Sequence, residues 1–138
     1  MRSDTIPFED FEHLKKIANE LLSLGYKKIA FSGTLGAGKT TFIKFLLEGL
    51  GVHSFDGSPT YSMIHNYSSN YPIYHIDAYR IETTKEGFHL GLDELLEEEA
   101  YFFIEWPEKI SAFLPDDIIW VYIRINQDSN SRTIEIRT

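Results

Sequence analysis

Apolar residues recur along the chain with two periods, which predict alternating strands and helices. Between residues 8 and 22 they fall three and four positions apart, which predicts an amphipathic helix with Pro7 near its first turn and Gly25 at its end. Residues 41–48 are apolar on nearly all sides of a second predicted helix. Predicted strands cover residues 27–32, 61–67, 71–77, 101–106, 118–125 and 132–136. This order predicts a single α/β domain over residues 1–138, with a mostly parallel central sheet flanked by helices and a C-terminal antiparallel hairpin.

The first strand leads into Gly33-Thr34-Leu35-Gly36-Ala37-Gly38-Lys39-Thr40, which fits the phosphate-binding P-loop pattern Gly-x-x-x-x-Gly-Lys-Ser/Thr. Glycines let the backbone turn tightly and direct N–H groups toward phosphate oxygens, and the following helix adds its positive N-terminal end. Lys39 supplies a full charge for the β- and γ-phosphates, and the Thr40 hydroxyl suits Mg²⁺. Strand, loop and helix together predict a nucleotide-binding protein with a P-loop NTPase fold.

Two predicted strands carry a carboxylate at or next to their C-terminal end, namely Asp77 and Glu105. Ligands of open α/β sheets bind at the carboxyl ends of the strands, so both acids are expected beside the P-loop. One would hold Mg²⁺ and the other would orient water, and the sequence leaves open which does which. His75 points the same way as Asp77 and is interpreted as a packed, hydrogen-bonded histidine. Trp106 either covers the site or fills the core.

Four further positions carry open interpretations. Thr60 lies in a Gly- and Pro-containing loop, residues 55–61, where it either senses nucleotide as a switch threonine or simply starts a strand. Arg132 follows the hairpin turn and is expected at the surface, with a contact to nucleotide as the alternative. Residues 6–9 have weak support for a nucleotide contact, and Arg80 is expected to pair with an acid, with a contact to phosphate as the alternative.

The charge balance limits the possible partners. The chain has a net charge of −8, and its 13 Lys and Arg residues are scattered. Direct binding to RNA or DNA needs a basic face, so a basic protein partner is a better expectation. The chain has no cysteine, which excludes disulfides and thiolate metal sites. No apolar run approaches membrane-spanning length, and we expect a cytoplasmic protein that does not contact membranes.

The segments GTLGAGKTT, SPTY, HIDAYR, GLDE and IEWPE, in this order and spacing, resemble the bacterial TsaE (YjeE) family. The resemblance covers nearly the whole chain. It implies a small Mg²⁺-dependent P-loop ATPase that assists threonylcarbamoyl transfer to adenosine 37 of tRNAs reading ANN codons, the t6A modification. It also implies TsaB and TsaD as protein partners, with TsaD as the transferase and tRNA met only through the complex.

The resemblance also implies roles for individual residues. Thr40 and Glu105 would hold Mg²⁺, with Asp77 as a further candidate ligand, and Lys39, Asp77, Glu105 and Thr60 would serve catalysis. The ATP-binding set would comprise Gly33, Gly36, Ala37, Gly38, Lys39, Thr40, Thr41, Trp106, Arg132 near the nucleotide, and Glu9 near the adenine end.

Two other functions remain as alternatives. A small-molecule P-loop kinase would need an Arg-bearing lid over a second substrate, whereas residues 82–99 are acidic and lack Arg. Within them, residues 85–99 are predicted to form two short helical pieces broken around Gly87 and Gly91. A nucleotide-dependent interaction module is the non-enzymatic alternative. Lys39→Ala should remove ATP binding or turnover and preserve the fold, because Lys39 is expected to face solvent and phosphate.

Overall fold

The computed structural model describes residues 2–34, 37–53, 63–67 and 69–138. Its strands are β1 (Arg2–Pro7), β2 (Lys28–Ser32), β3 (Ile64–Tyr67), β4 (Ile73–Asp77), β5 (Tyr101–Glu105), β6 (Ile119–Asn126) and β7 (Ser131–Arg137). The α-helices are α1 (Phe11–Ser23), α2 (Lys39–Gly49), α3 (Thr84–His89) and α4 (Leu92–Leu95), and 3₁₀ helices cover Pro107–Phe113 and Gln127–Ser129. None of the helices in these residues is long and apolar enough to cross a bilayer.

The seven described strands form one mixed sheet in the order β1-β7-β6-β2-β5-β4-β3. The four central strands, β6, β2, β5 and β4, are parallel to one another. Antiparallel pairing occurs at both edges, where β7 and β1 extend one side and β3 the other. The predicted parallel central sheet and the C-terminal hairpin of β6 and β7 are therefore confirmed.

Helices cover both faces of the sheet because successive strand residues point to opposite sides. Helices α1 and α2 pack on one face, and the core there includes Leu14, Ile17, Leu21, Ile29, Phe31, Phe42, Ile43, Phe103 and Val121. Helix α4 and the 3₁₀ helix Pro107–Phe113 pack on the other, over a core that includes Ala30, Ile76, Leu92, Phe102, Ile104 and Ile110. The carboxyl edge of the parallel strands thus lies between two well-filled layers.

The structure corrects two local predictions. Pro7 ends strand β1 instead of opening a helix, and α1 begins at Phe11 after Asp10, whose side chain accepts a hydrogen bond from the His13 N–H at 3.1 Å. Gly87 lies inside α3 instead of breaking it. The glycine serves packing, since a side chain there would collide with the ring of Phe113. The predicted break at Gly91 is confirmed.

Candidate functional site

The predicted phosphate-binding segment lies between β2 and α2, and its described residues Gly33, Thr34, Ala37 and Gly38 follow the carboxyl end of β2. Gly38 is the N-cap of α2 and has φ +99°, a left-handed conformation that favours glycine. A side chain at Gly38 would also collide with the guanidinium of Arg132. At Gly33, an added Cβ would lie 2.6 Å from the Ile123 carbonyl oxygen. A close backbone approach at Gly33 and a left-handed conformation at Gly38 therefore favour glycine at both positions, independently of any ligand.

The first turn of α2 is joined to the end of β5 through Thr40. The Thr40 hydroxyl donates to Glu105 Oε1 at 2.9 Å, and His75 Nε2 lies 2.6 Å from Glu105 Oε2. Glu105 and His75 are buried. A hydroxyl and a carboxylate in contact at a helix N-terminus are oxygen ligands of the kind that Mg²⁺ prefers.

The Thr40 hydroxyl and the Glu105 carboxylate would suit Mg²⁺ that is bound together with a nucleotide. Among the described residues, no group of three or more His, Asp or Glu side chains forms a metal cluster. Mg²⁺ bound with a nucleotide commonly takes only one or two protein ligands, and phosphates and waters complete its shell. Thr40 and Glu105 supply that number.

Asp77 ends β4 directly beside Glu105, since the two residues are partners in the parallel register of β4 and β5. Asp77 is half-buried, and its Oδ1 accepts a hydrogen bond from the Tyr79 N–H at 3.0 Å. The two carboxylates thus reach the same edge, as predicted. Glu105 contacts Thr40, whereas Asp77 is oriented by the turn that follows its own strand.

Lys39 is buried, contrary to the expectation that it faces solvent. Its Nζ donates to the Gly33 carbonyl oxygen at 2.6 Å and lies 3.8 Å from the centre of the Trp106 ring. These two partners explain the burial, because a carbonyl and an aromatic face both attract an ammonium group. Burial lowers the pKa of Lys39 below its ordinary value, and the negative charges of Glu105 and Glu108 partly oppose that shift.

Trp106 stands between the site and the core. It has φ +57°, an uncommon conformation for a bulky residue, and it directly follows Glu105. Besides Lys39, its ring contacts the exposed Tyr79, with ring centres 5.0 Å apart, and it packs against the α4 side of the core. Both alternatives considered for Trp106 therefore hold together.

Arg132 is only 2% exposed, so the expectation of a surface residue is wrong. Its Nη1 donates to the Ala37 carbonyl oxygen at 3.2 Å and its Nη2 to the Phe8 carbonyl oxygen at 2.5 Å. The guanidinium also lies 4.3 Å from the centre of the Phe8 ring. Burial lowers the pKa of Arg132. The guanidinium is thus enclosed by Ala37 and Phe8, and the backbone of Arg132 lies opposite Ile6 in the pairing of β7 with β1.

The remaining predicted site residues are Thr41, Glu9, Gly36 and Thr60. Thr41 is half-buried in the first turn of α2, and Glu9 is exposed, one residue after the Phe8 carbonyl that Arg132 binds. Gly36 and Thr60 lie outside the described residues. The spacing predicts Phe8 as the start of a helix, but Phe8 lies in the turn between β1 and α1, and no local signal in the sequence marks its contact with Arg132.

Comparison with known proteins identifies the family. The family model described as threonylcarbamoyl adenosine biosynthesis protein TsaE matches residues 8–134. The chain belongs to the TsaE family. The resemblance inferred from the motifs is thereby confirmed, and the seven-stranded sheet is the fold of a TsaE-family protein.

Individual TsaE proteins agree over most of the chain. The tRNA threonylcarbamoyladenosine biosynthesis protein TsaE of Treponema pallidum is 30% identical over 94% of this chain and 96% of its own length. The TsaE of Haemophilus influenzae is 36% identical over 88% of this chain and 78% of its own. A crystal structure of YdiB from Bacillus subtilis superposes with a TM-score of 0.75 at 29% identity, covering 96% of this chain and 83% of that one.

Proposed function

We propose that this TsaE-family chain binds and hydrolyses Mg²⁺-ATP as an accessory protein in the t6A modification of adenosine 37 in tRNAs that read ANN codons, acting with TsaB and TsaD. The observation that carries the ATP-binding part is the hydrogen bond between Thr40 and Glu105 at the N-terminus of α2. Family membership supports the pathway.

Each residue of the site has a task in this proposal. Thr40 and Glu105 hold the cation, and Lys39 exchanges the Gly33 carbonyl for phosphate oxygens, which are stronger acceptors. Asp77, beside Glu105, orients the attacking water. When bound, Mg²⁺ neutralises charge that builds up on the phosphates during transfer.

The region after β4 argues against the kinase alternative. Residues 82–99 contain no Arg, and the ring of Phe88 in α3 packs edge-on against Phe113, with ring centres 4.9 Å apart. Such packing is more typical of a segment that is fixed to the rest of the fold than of a lid that closes over a second substrate. The net charge of −8 favours contact with tRNA through protein partners rather than directly.

The test is phosphate release from Mg²⁺-ATP without an acceptor, first for the protein alone and then with TsaB and TsaD. Slow release that rises sharply with both partners supports the proposal. No release in either mixture, despite tight ATP binding, refutes the ATPase assignment and favours a kinase or a passive nucleotide-dependent module. Lys39→Ala is the inactive variant, and Lys44→Ala, at an exposed position of the same helix, is its matched control.

A further inference from the structure

His75 is completely buried in β4, on the face of the sheet that carries the phosphate-binding helix. In the register of β4 and β5, His75 pairs with Phe103 and Asp77 with Glu105. Alternate residues of a strand share a face, so His75 lies on the same side as both acids. Phe103 belongs to the core beneath α2, together with Phe42. His75 is therefore a buried polar side chain directed at the candidate site.

The carboxylate of Glu105 is held from two sides by this arrangement. Oε2 lies 2.6 Å from His75 Nε2, and Oε1 accepts the Thr40 hydroxyl at 2.9 Å. A carboxylate oxygen only accepts hydrogen bonds, so the imidazole nitrogen facing it carries the proton. With a donor at each oxygen, the plane of the carboxylate is defined, and Oε1 is kept on the side of Thr40.

The orientation of the Glu105 carboxylate matters for a Mg²⁺ ligand. Mg²⁺ tolerates little departure from octahedral geometry, and it takes few protein ligands. Groups that hydrogen-bond a ligating side chain from outside typically change metal affinity about 10–100-fold when they are removed. A glutamate has three rotatable side-chain bonds, so holding Oε2 in place excludes most of the side-chain conformations that would move Oε1.

We propose that His75 is a positioning residue for the divalent-cation site: its Nε2–H holds Glu105 Oε2 and thereby presents Oε1, beside the Thr40 hydroxyl, to Mg²⁺. The inference rests on the proposed function, in which Glu105 is a magnesium ligand. A packing role alone predicts a different result, because a histidine that merely fills space should be replaceable by any side chain of similar volume.

Two substitutions separate positioning from packing. His75→Gln retains an N–H donor on a side chain of comparable reach, whereas His75→Leu retains much of the volume without a donor. His65→Leu is the matched control, since half-buried His65 lies directly opposite His75 in the pairing of β3 and β4 and contacts Tyr67. Thermal unfolding of each variant checks that the fold persists.

The main readout is the Mg²⁺ concentration that half-saturates binding of a fluorescent ADP analogue, with the affinity for the analogue in EDTA measured in parallel. We expect His75→Leu to raise that concentration about 10–100-fold, with His75→Gln and His65→Leu near wild type and the EDTA affinity unchanged in all. Equal defects in both His75 variants, no defect in either, or an equal loss in EDTA would overturn the proposal.

A measurement on the ligand-free wild-type protein keeps the test independent of folding and turnover. Long-range ¹H–¹⁵N spectra of the histidine rings should show His75 protonated at Nε2, with a downfield proton that moves in Glu105→Gln. A His75 proton found on Nδ1 alone would contradict the hydrogen bond and the inference. If the wild type binds nucleotide without any response to Mg²⁺, the proposed function fails, whereas this spectrum still decides whether His75 holds Glu105.

Discussion

Replacing Arg132 by Met should destabilise the protein and weaken nucleotide binding together. The substitution keeps an unbranched side chain but removes both donors, so the carbonyl oxygens of Ala37 and Phe8 lose their hydrogen bonds. A buried acceptor left without its donor costs about 1–3 kcal/mol. Burial lowers the Arg132 pKa because it disfavours the charged guanidinium. Removing this buried charge recovers free energy, which offsets part of the cost of the two unpaired carbonyl oxygens.

The expected net loss is about 2–4 kcal/mol in the free energy of unfolding, after that offset. Unfolding entropy is about 2.1 cal/mol/K per residue, which for 138 residues is roughly 0.3 kcal/mol/K. The unfolding midpoint should therefore fall by roughly 7–14 °C. Because the Ala37 carbonyl immediately precedes Gly38, the N-cap of α2, affinity for a fluorescent ADP analogue should drop about tenfold or more.

The assay is thermal unfolding followed by circular dichroism, with the ADP analogue titrated at a temperature where every variant is folded. Arg124→Met is the matched control, since Arg124 is exposed on the adjacent strand β6 and should change stability by about 0.5 kcal/mol or less. Arg132→Lys, which retains the charge but has a single donor group, should fall between wild type and Arg132→Met. Equal unfolding midpoints for Arg132→Met and Arg124→Met would refute the reasoning.

Three further outcomes are expected. Lys39→Ala should abolish binding of the ADP analogue while the circular dichroism spectrum stays native, and normal affinity would contradict the site. The folded-state pKa of Lys39 lies below its ordinary value of 10.5, so the folded chain loses this proton at a lower pH than the unfolded chain. In urea denaturation, the wild type should therefore gain stability relative to Lys39→Ala as pH rises toward 10.5. A stability difference that falls with rising pH would contradict the burial of Lys39. Gly33→Ala should cost about 1–3 kcal/mol in the same denaturation assay, because its Cβ would meet the Ile123 carbonyl, and wild-type stability would disprove that close approach.

Much of the central sheet could be predicted because its signals are local. Strands β2, β4, β5 and β6 are short apolar runs, and each lies within two residues of its predicted bounds. The order of strand, glycine loop and helix likewise needs no distant residue to be recognised. Those patterns also led to Asp77 and Glu105, since a carboxylate that ends a parallel strand reaches the ligand edge wherever the strand lies in the sheet.

Strand β1 could not be predicted in this way. Ile6 is the only buried residue within Arg2–Pro7, so the segment has no apolar alternation of the kind that marks a half-buried strand. It is a strand because β7 supplies its hydrogen-bond partners, from Arg2 opposite Ile136 to Pro7 opposite Ser131. A pairing over such a separation in sequence leaves no trace in the local pattern.

By itself, the sequence determined the elements of the central sheet, the glycine-rich P-loop motif and the two acids expected beside it, because these depend on spacing within short segments. Tertiary structure alone decided that Glu105 contacts Thr40 and His75, that Lys39 folds back onto Gly33, and that Arg132 is buried beneath the loop. Each of those contacts joins residues on different elements or reverses an exposure inferred from polarity. The physical reason is that a charged side chain is buried wherever the fold brings it a carbonyl, a carboxylate or an aromatic face, and strand order determines which of them it meets.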